Sequence, residues 1–278
     1  MKIDSFKRRR SKKLNNVSEI DWSKRLEKRD NDLYLNKYIK PLMHKKHQDG
    51  DKINCLSFPA SKWIWERNLA KSFNSNSIHF YGVERNPLVN KSANKTAKYL
   101  MSSKGKKNYR MTLLPPKVDF AKSICRKTGV ECVDSISGFD IIYADYMGTW
   151  SENSILDLKS IFGGKRSILN PFGLLVITLM LSRGERTLRS KTLSIANKLK
   201  PSDRVKIDDD HWYDRMLSDK YSEEVHPLAV GISDTVVKIA KANGCLLIPH
   251  PVHIYYSPGA SPSVMSQPEA SFCFSKLT

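Results

Sequence analysis

The sequence predicts a doubly wound α/β domain: a mostly parallel sheet with helices on both faces, an antiparallel hairpin at its C-terminal end, and a basic helical extension ahead of it. Three observations carry this. From Lys52 onward, short apolar runs of strand character alternate with stretches of helical period. Two of these runs, Ile78-His79-Phe80-Tyr81-Gly82-Val83-Glu84 and Phe139-Asp140-Ile141-Ile142-Tyr143-Ala144-Asp145, end on a carboxylate. Ligands of parallel α/β sheets bind at the carboxyl ends of the strands, so an acid there faces the crevice. The last two extended runs are neighbours in sequence with no helix between them, which calls for an antiparallel pair.

In chain order, residues 1–50 form a charge-rich extension, with a basic cluster at Lys7-Arg8-Arg9-Arg10-Ser11-Lys12-Lys13. That cluster reads as an electrostatic arm for nucleic acid, as an import signal or as a solvated tail. Spaced apolar residues Trp22, Leu26, Leu33, Leu35, Tyr38 and Ile39 fit one or two amphipathic helices, expected to stop at Pro41. The main domain is expected over 51–278. Residues 53–58 read as a first strand and 61–73 as a helix capped by Ser61. A second strand over 78–84 and a helix over 87–101 follow. The third strand is either 111–114, before Pro115-Pro116, or 130–134, with a helix over 118–127; pattern alone leaves both open. Residues 139–144 form the next strand and 151–161 a helix with Ser151 at its cap. Residues 173–181 are apolar throughout, as in a strand buried on both faces. Helices over 184–199 and 228–243 come next, the second closed by Gly244 at a C′ position. The extended runs 245–256 and 270–277, joined through Ser257-Pro258-Gly259-Ala260, form the terminal hairpin.

Composition bounds the function. The 278 residues are 40% apolar and 27% charged, as in a folded soluble protein, while 47 Lys and Arg against 28 Asp and Glu give a net charge of +19. Such an excess favours a polyanionic partner, because each cation laid on a phosphate releases condensed counterions. A self-repelling basic surface without a partner is the plainer alternative. Cys55, Cys125, Cys132, Cys245 and Cys273 have no zinc-ligand spacing and read as reduced, mostly buried thiols. With no signal-like N-terminus and no apolar run of ~18 residues, a soluble, intracellular and most simply cytoplasmic protein is expected. No metal site is expected. Asp208-Asp209-Asp210-His211 lacks calcium-loop spacing, and His250 and His253, three apart on one run, are expected on opposite faces.

The order of elements, with Leu56-Ser57-Phe58-Pro59-Ala60-Ser61, Gly82-Val83-Glu84-Arg85-Asn86 and Ala144-Asp145-Tyr146-Met147-Gly148-Thr149-Trp150, resembles the class I S-adenosylmethionine-dependent methyltransferases. These have a Rossmann-like seven-stranded sheet whose last strand is antiparallel. The resemblance covers roughly residues 50–278. It implies S-adenosylmethionine as cofactor, with Ser57, Phe58, Pro59 and Ala60 in the first loop and Glu84, Arg85 and Asn86 around the ribose. Glu84 is the firmest of these, since a carboxylate accepts both hydroxyls of a vicinal diol. Asp145 and Tyr146 fall where amino-methylating relatives hold the acceptor, although the two prolines of that motif are missing here. The plainer reading of Asp145 is a cap for the helix that follows.

The family's first loop carries glycines for close backbone approach, and this one has none. On the following helix, Trp63 and Trp65 stand two apart, so one is expected in the core and the other near the site or solvent. A nucleic acid, DNA or RNA, is the expected partner. Its contacts are expected at Arg8, Arg9, Arg10, Lys12, Lys13, Lys104, Lys106, Lys107, Arg183, Arg186 and Arg189. Together these readings describe a methyltransferase-like enzyme acting on nucleic acid. The alternative is a non-catalytic nucleic-acid-binding module on the same fold, and a small-molecule or protein methyltransferase fits less well with the charge.

Overall fold

The computed structural model describes residues 26–59, 63–72, 78–84, 86–102, 109–114, 138–163, 167–184, 186–209, 219–257 and 267–277. The helices are α1 (Leu26–Gln48), α2 (Ile64–Ser72), α3 (Pro87–Ser102), α4 (Glu152–Phe162), α5 (Arg186–Lys198) and α6 (Asp219–Ala242). The strands are β1 (Ile53–Ser57), β2 (Ile78–Gly82), β3 (Tyr109–Leu113), β4 (Phe139–Trp150), β5 (Leu169–Gly184), β6 (Ile207–Asp209), β7 (Leu247–Pro249), β8 (Val252–Ser257) and β9 (Gln267–Lys276). Along the sheet the order is β3-β2-β1-β4-β5-β9-β8-β6, with β7 pairing β9 off that path. Strands β1 to β5 pair in parallel, whereas β9 runs antiparallel to both β5 and β8. The expected doubly wound sheet with its C-terminal hairpin is therefore present. The three-residue β6 and β7 widen it beyond seven strands.

Period-two alternation assigns the faces. Cys55, Phe80, Ile141, Val176 and Cys273 point to one side, where α1, α2 and α3 bury Leu35, Ile39, Met43, Leu69, Ala93 and Ala97. Leu56, Tyr81, Ile142, Leu175 and Phe272 point to the other, covered by Leu158, Ile161 and Phe162 of α4 and by Leu228, Ile232 and Val236 of α6. Full burial of Leu175 to Ile177 is what makes β5 apolar along its whole inner length.

Several boundaries differ from expectation. Helix α1 does not stop at Pro41 but carries it inside. An interior proline costs about 3 kcal/mol. Leu35, Ile39 and Met43, each fully buried on either side of it, bind the helix to the sheet and offset that cost. Gly184 ends β5 rather than opening a helix, and β4 continues to Trp150 through register shifts after Asp145. The third strand is Tyr109–Leu113; residues 115–137, with the alternative at 130–134, lie outside the described set. The run 245–256 is broken at His250 and Pro251 into β7 and β8, and the break resets the alternation. His250 and His253 consequently meet the same helix: Tyr38 lies 4.2 Å from the His250 ring and Tyr34 is stacked 4.7 Å from His253. Tyr34 also donates its hydroxyl hydrogen to the Pro251 carbonyl.

Other local expectations hold. Ser151 Oγ caps α4 by accepting from the Ser154 N–H, and Gly244 follows α6 with a φ of 76°. Cys55, Cys245 and Cys273 are buried free thiols. At the amino end of the sheet, buried Asp140 accepts from the Asn54 N–H at 2.9 Å and from Asn170 Nδ2 at 3.0 Å, and pairs with Lys46 of α1 at 3.3 Å. Among the described residues no helix is long and apolar enough to cross a membrane.

Candidate functional site

Strand order reverses direction between β1 and β4, and the crevice of a doubly wound sheet opens at the carboxyl ends of the strands beside such a switch. Ser57 ends β1, Gly82 ends β2 and Asp145 lies where β4 leaves its regular register with β5. Parallel pairing of Ser57 with Gly82 on one side and with Tyr143 on the other sets the ends of β1 and β2 level with the point where β4 approaches its register shift. Glu84, two residues beyond β2, and Asp145, at the register shift of β4, therefore lie toward the same end of the sheet.

At the end of β1, Ser57 donates to Glu66 Oε1 at 2.5 Å. Glu66 is in the first turn of α2 and 2% exposed. Burial pushes its carboxyl up to about 7; the Ser57 bond works against that rise, while the charges of Asp145 and Asp32 add to it. Thus a carboxyl poised near neutrality lies between the ends of β1 and β4. Tyr143 is buried on the same side of the sheet, its hydroxyl pKa well raised by desolvation and then by Asp145, and Trp65 stacks on its ring at 4.5 Å.

Glu84 Oε1 accepts from the Asn86 N–H at 2.7 Å, and Asn86 Oδ1 in turn accepts from the Leu88 N–H at 3.0 Å at the head of α3. Asn90 Nδ2 donates to the Glu84 carbonyl at 3.2 Å and to the Leu114 carbonyl at 3.3 Å, tying this turn to the end of β3. Asn86 is therefore a helix cap, and Glu84 is held half-buried at the lip of the sheet.

The first loop accounts for its missing glycines in an unexpected way. The glycine required for close approach is Gly82 of β2, where an added Cβ would lie 2.5 Å from Pro59 Cγ and 2.6 Å from Trp63 Cη2. Trp63 has a left-handed φ of 50°, is fully buried, and donates its indole N–H to the Ala93 carbonyl of α3 at 3.0 Å. The space beside the end of β2 thus holds the loop's own side chains. Of the two tryptophans, Trp63 is core and Trp65 is half-buried over Tyr143.

Tyr146 faces the opposite side from Asp145. Its hydroxyl donates to Asp157 Oδ2 of α4 at 3.0 Å, and its ring meets Phe58 edge-on at 5.3 Å. Burial first and Asp157 second hold that hydroxyl protonated. Asp145 does not cap α4, since Ser151 does.

The site therefore brings Ser57, Phe58, Pro59, Glu84, Asn86, Asp145 and Tyr146 to one end of the sheet. Arg189 lies on α5 and donates to the Leu181 carbonyl of β5 at 2.7 Å, while Arg186 is exposed on the same helix. Asp208 forms an exposed pair with Lys37 at 3.5 Å. Ala60, Ser61, Arg85, Asp210, His211 and the basic residues Arg8, Arg9, Arg10, Lys12, Lys13, Lys104, Lys106 and Lys107 lie outside the described residues, as does the side chain of Arg183. Glu66 and Asp157 were not assigned to the site from sequence. A lone acid in a helix carries no local mark of burial, so only its packing reveals it.

No family model matches the chain, and no curated protein does. Among solved structures it is similar to a putative sarcosine dimethylglycine methyltransferase from Galdieria sulphuraria, with 11% identity, a TM-score of 0.43, and 86% of this chain and 84% of that one covered. A putative caffeoyl-CoA O-methyltransferase from Staphylococcus aureus gives 12%, 0.42, 94% and 89%. A putative rRNA-methylase from Clostridium thermocellum gives 12%, 0.38, 82% and 89%. The sheet itself, mostly parallel with β9 reversed between β5 and β8, has the doubly wound form and antiparallel C-terminal hairpin that the methyltransferase resemblance implies.

Proposed function

We propose that this chain is an S-adenosylmethionine-dependent methyltransferase-like enzyme that acts on nucleic acid. The observation that carries the reading is the convergence of Glu84 and the Ser57–Glu66 pair at the ends of β2 and β1 with Asp145 at the neighbouring register shift of β4. Glu84 has the position and chemistry to accept both hydroxyls of the cofactor ribose. Ser57, Phe58 and Pro59 would border its methionine part. Bound there, the cofactor would supply an electrophilic methyl group on a sulfonium. The chain's own contribution is positioning: Asp145 orients the acceptor, and Glu66, accepting from the Ser57 hydroxyl, ties the first turn of α2 to the end of β1. The charge of +19 supports a polyanionic acceptor.

Calorimetric titration with S-adenosylmethionine tests this reading. The wild type should release heat, and Glu84→Ala should abolish it while leaving the melting temperature near that of the wild type. No heat from a folded wild type sinks the enzyme reading.

One observation favours a second reading. Pro59 and Trp63 already fill the approach to Gly82, as expected of a nucleic-acid-binding module that has kept the fold without the cofactor. Salt-dependent nucleic-acid binding without any cofactor heat would select it.

A further inference from the structure

Helix α3 begins beside Glu84 and runs along the edge of the sheet next to β3, the terminal strand. Its inner side buries Asn90, Ala93, Ala97 and Leu100. The outer side exposes Lys91, Lys95 and Lys98, with Leu88 and Tyr99 each 72% exposed. Spacings of four and three residues place the lysines on one face, spread over about 10 Å at 1.5 Å per residue. Tyr99 lies one turn beyond Lys95 on that face. Arg110 is exposed on the neighbouring β3.

A helix face that merely keeps a protein soluble usually mixes both signs of charge. Residues 87–102 contain no acid at all, and among the described residues the three lysines form no ion pair. An aromatic ring left 72% exposed amid cations contributes little to the core. Lysines in a row beside an exposed ring form the combination that holds a single strand, the cations against phosphates and the ring against a base.

We infer that the outer face of α3, with Lys91, Lys95, Lys98 and Tyr99 on it and Arg110 beside it, is a binding surface for single-stranded nucleic acid. It rests on the nucleic-acid part of the reading above and names the surface responsible. Because α3 starts at the Glu84 turn, a strand lying along it is led toward the crevice end of the sheet.

The test is fluorescence anisotropy of a 5′-fluorescein-labelled dT20 oligonucleotide with the full chain across a salt series. Lys91→Gln/Lys95→Gln/Lys98→Gln should reduce the slope of log affinity against log salt by about 2, the share of three phosphate contacts on a single strand. Tyr99→Ala should weaken binding roughly 5- to 150-fold with the slope unchanged, as loss of one stacked base does. Lys200→Gln/Lys206→Gln/Lys241→Gln, three exposed lysines dispersed elsewhere, serves as the matched control and should leave the slope nearly unaltered. All these side chains are exposed, so melting temperatures should stay within about 2 °C of wild type.

Wild-type binding with an unchanged slope in the α3 variant, or an equal fall in the control, overturns the surface while leaving the nucleic-acid reading intact. A wild type that does not bind the oligonucleotide overturns both. The cofactor titration tests the enzyme reading independently of either result.

Discussion

Replacing Glu66 by glutamine should make the protein more stable at alkaline pH, by an amount the structure sets. Glu66 is 2% exposed and its carboxyl is raised from the ordinary 4.5 to about 7, chiefly by burial. Between those values the folded chain holds a proton that the unfolded chain has released, so stability falls as pH rises through this window and levels off above about 7. The full penalty is on the order of 3 kcal/mol. Glutamine is neutral at every pH and keeps an oxygen able to accept from Ser57, so Glu66→Gln removes the fall without opening a cavity. The variant should match the wild type near pH 4.5 and exceed it by about 3 kcal/mol near pH 8.5. For a slope of ~3 kcal/mol per molar, urea midpoints would then differ by about 1 M. Urea denaturation at a series of pH values reads this directly. A stability difference between the two proteins that is the same at pH 5 and pH 8.5 refutes a buried, proton-holding Glu66.

Two further substitutions test the frame around the site. Gly82→Ala drives a Cβ against ring atoms of Pro59 and Trp63, which have no flexible end to swing aside. It should cost about 1–3 kcal/mol, read as a fall in melting temperature of roughly 2–4 °C per kcal/mol. An unchanged melting temperature would mean that the first loop does not pack on β2. Asp140→Ala strips the acceptor from Asn54, Asn170 and Lys46 in a buried site and should cost roughly 3 kcal/mol. Lys46→Gln, at a side chain 25% exposed, should cost no more than about 1 kcal/mol. Equal urea midpoints for these two variants would argue against the anchoring of Asp140 by the strand backbone.

Much of the frame was legible because its signals are local. The carboxylates of Glu84 and Asp145 close apolar runs, and a run of that kind fixes which end of a strand reaches the crevice. Ser151 and Gly244 mark helix ends through their own hydrogen-bonding and backbone preferences, and both stand where expected. Pro41 misled because its local cost is real but is outweighed by Leu35, Ile39 and Met43 meeting a sheet that is distant in sequence. The His250 and His253 expectation failed for a related reason: alternation holds only within an unbroken strand, and Pro251 interrupts this one.

By itself, then, the sequence determined the alternation of strands and helices, the reversed terminal hairpin and the two acids at the strand ends, all set by short-range pattern and sheet connectivity. Only the tertiary structure decided what those ends contain. It buried Glu66 against Ser57, turned Tyr146 away to Asp157, and filled the approach to Gly82 with Pro59 and Trp63. It also left the lysines of α3 together beside an exposed ring. Burial, and the pKa shift and steric limits that come with it, arise from contacts between elements, and no window of sequence contains both partners.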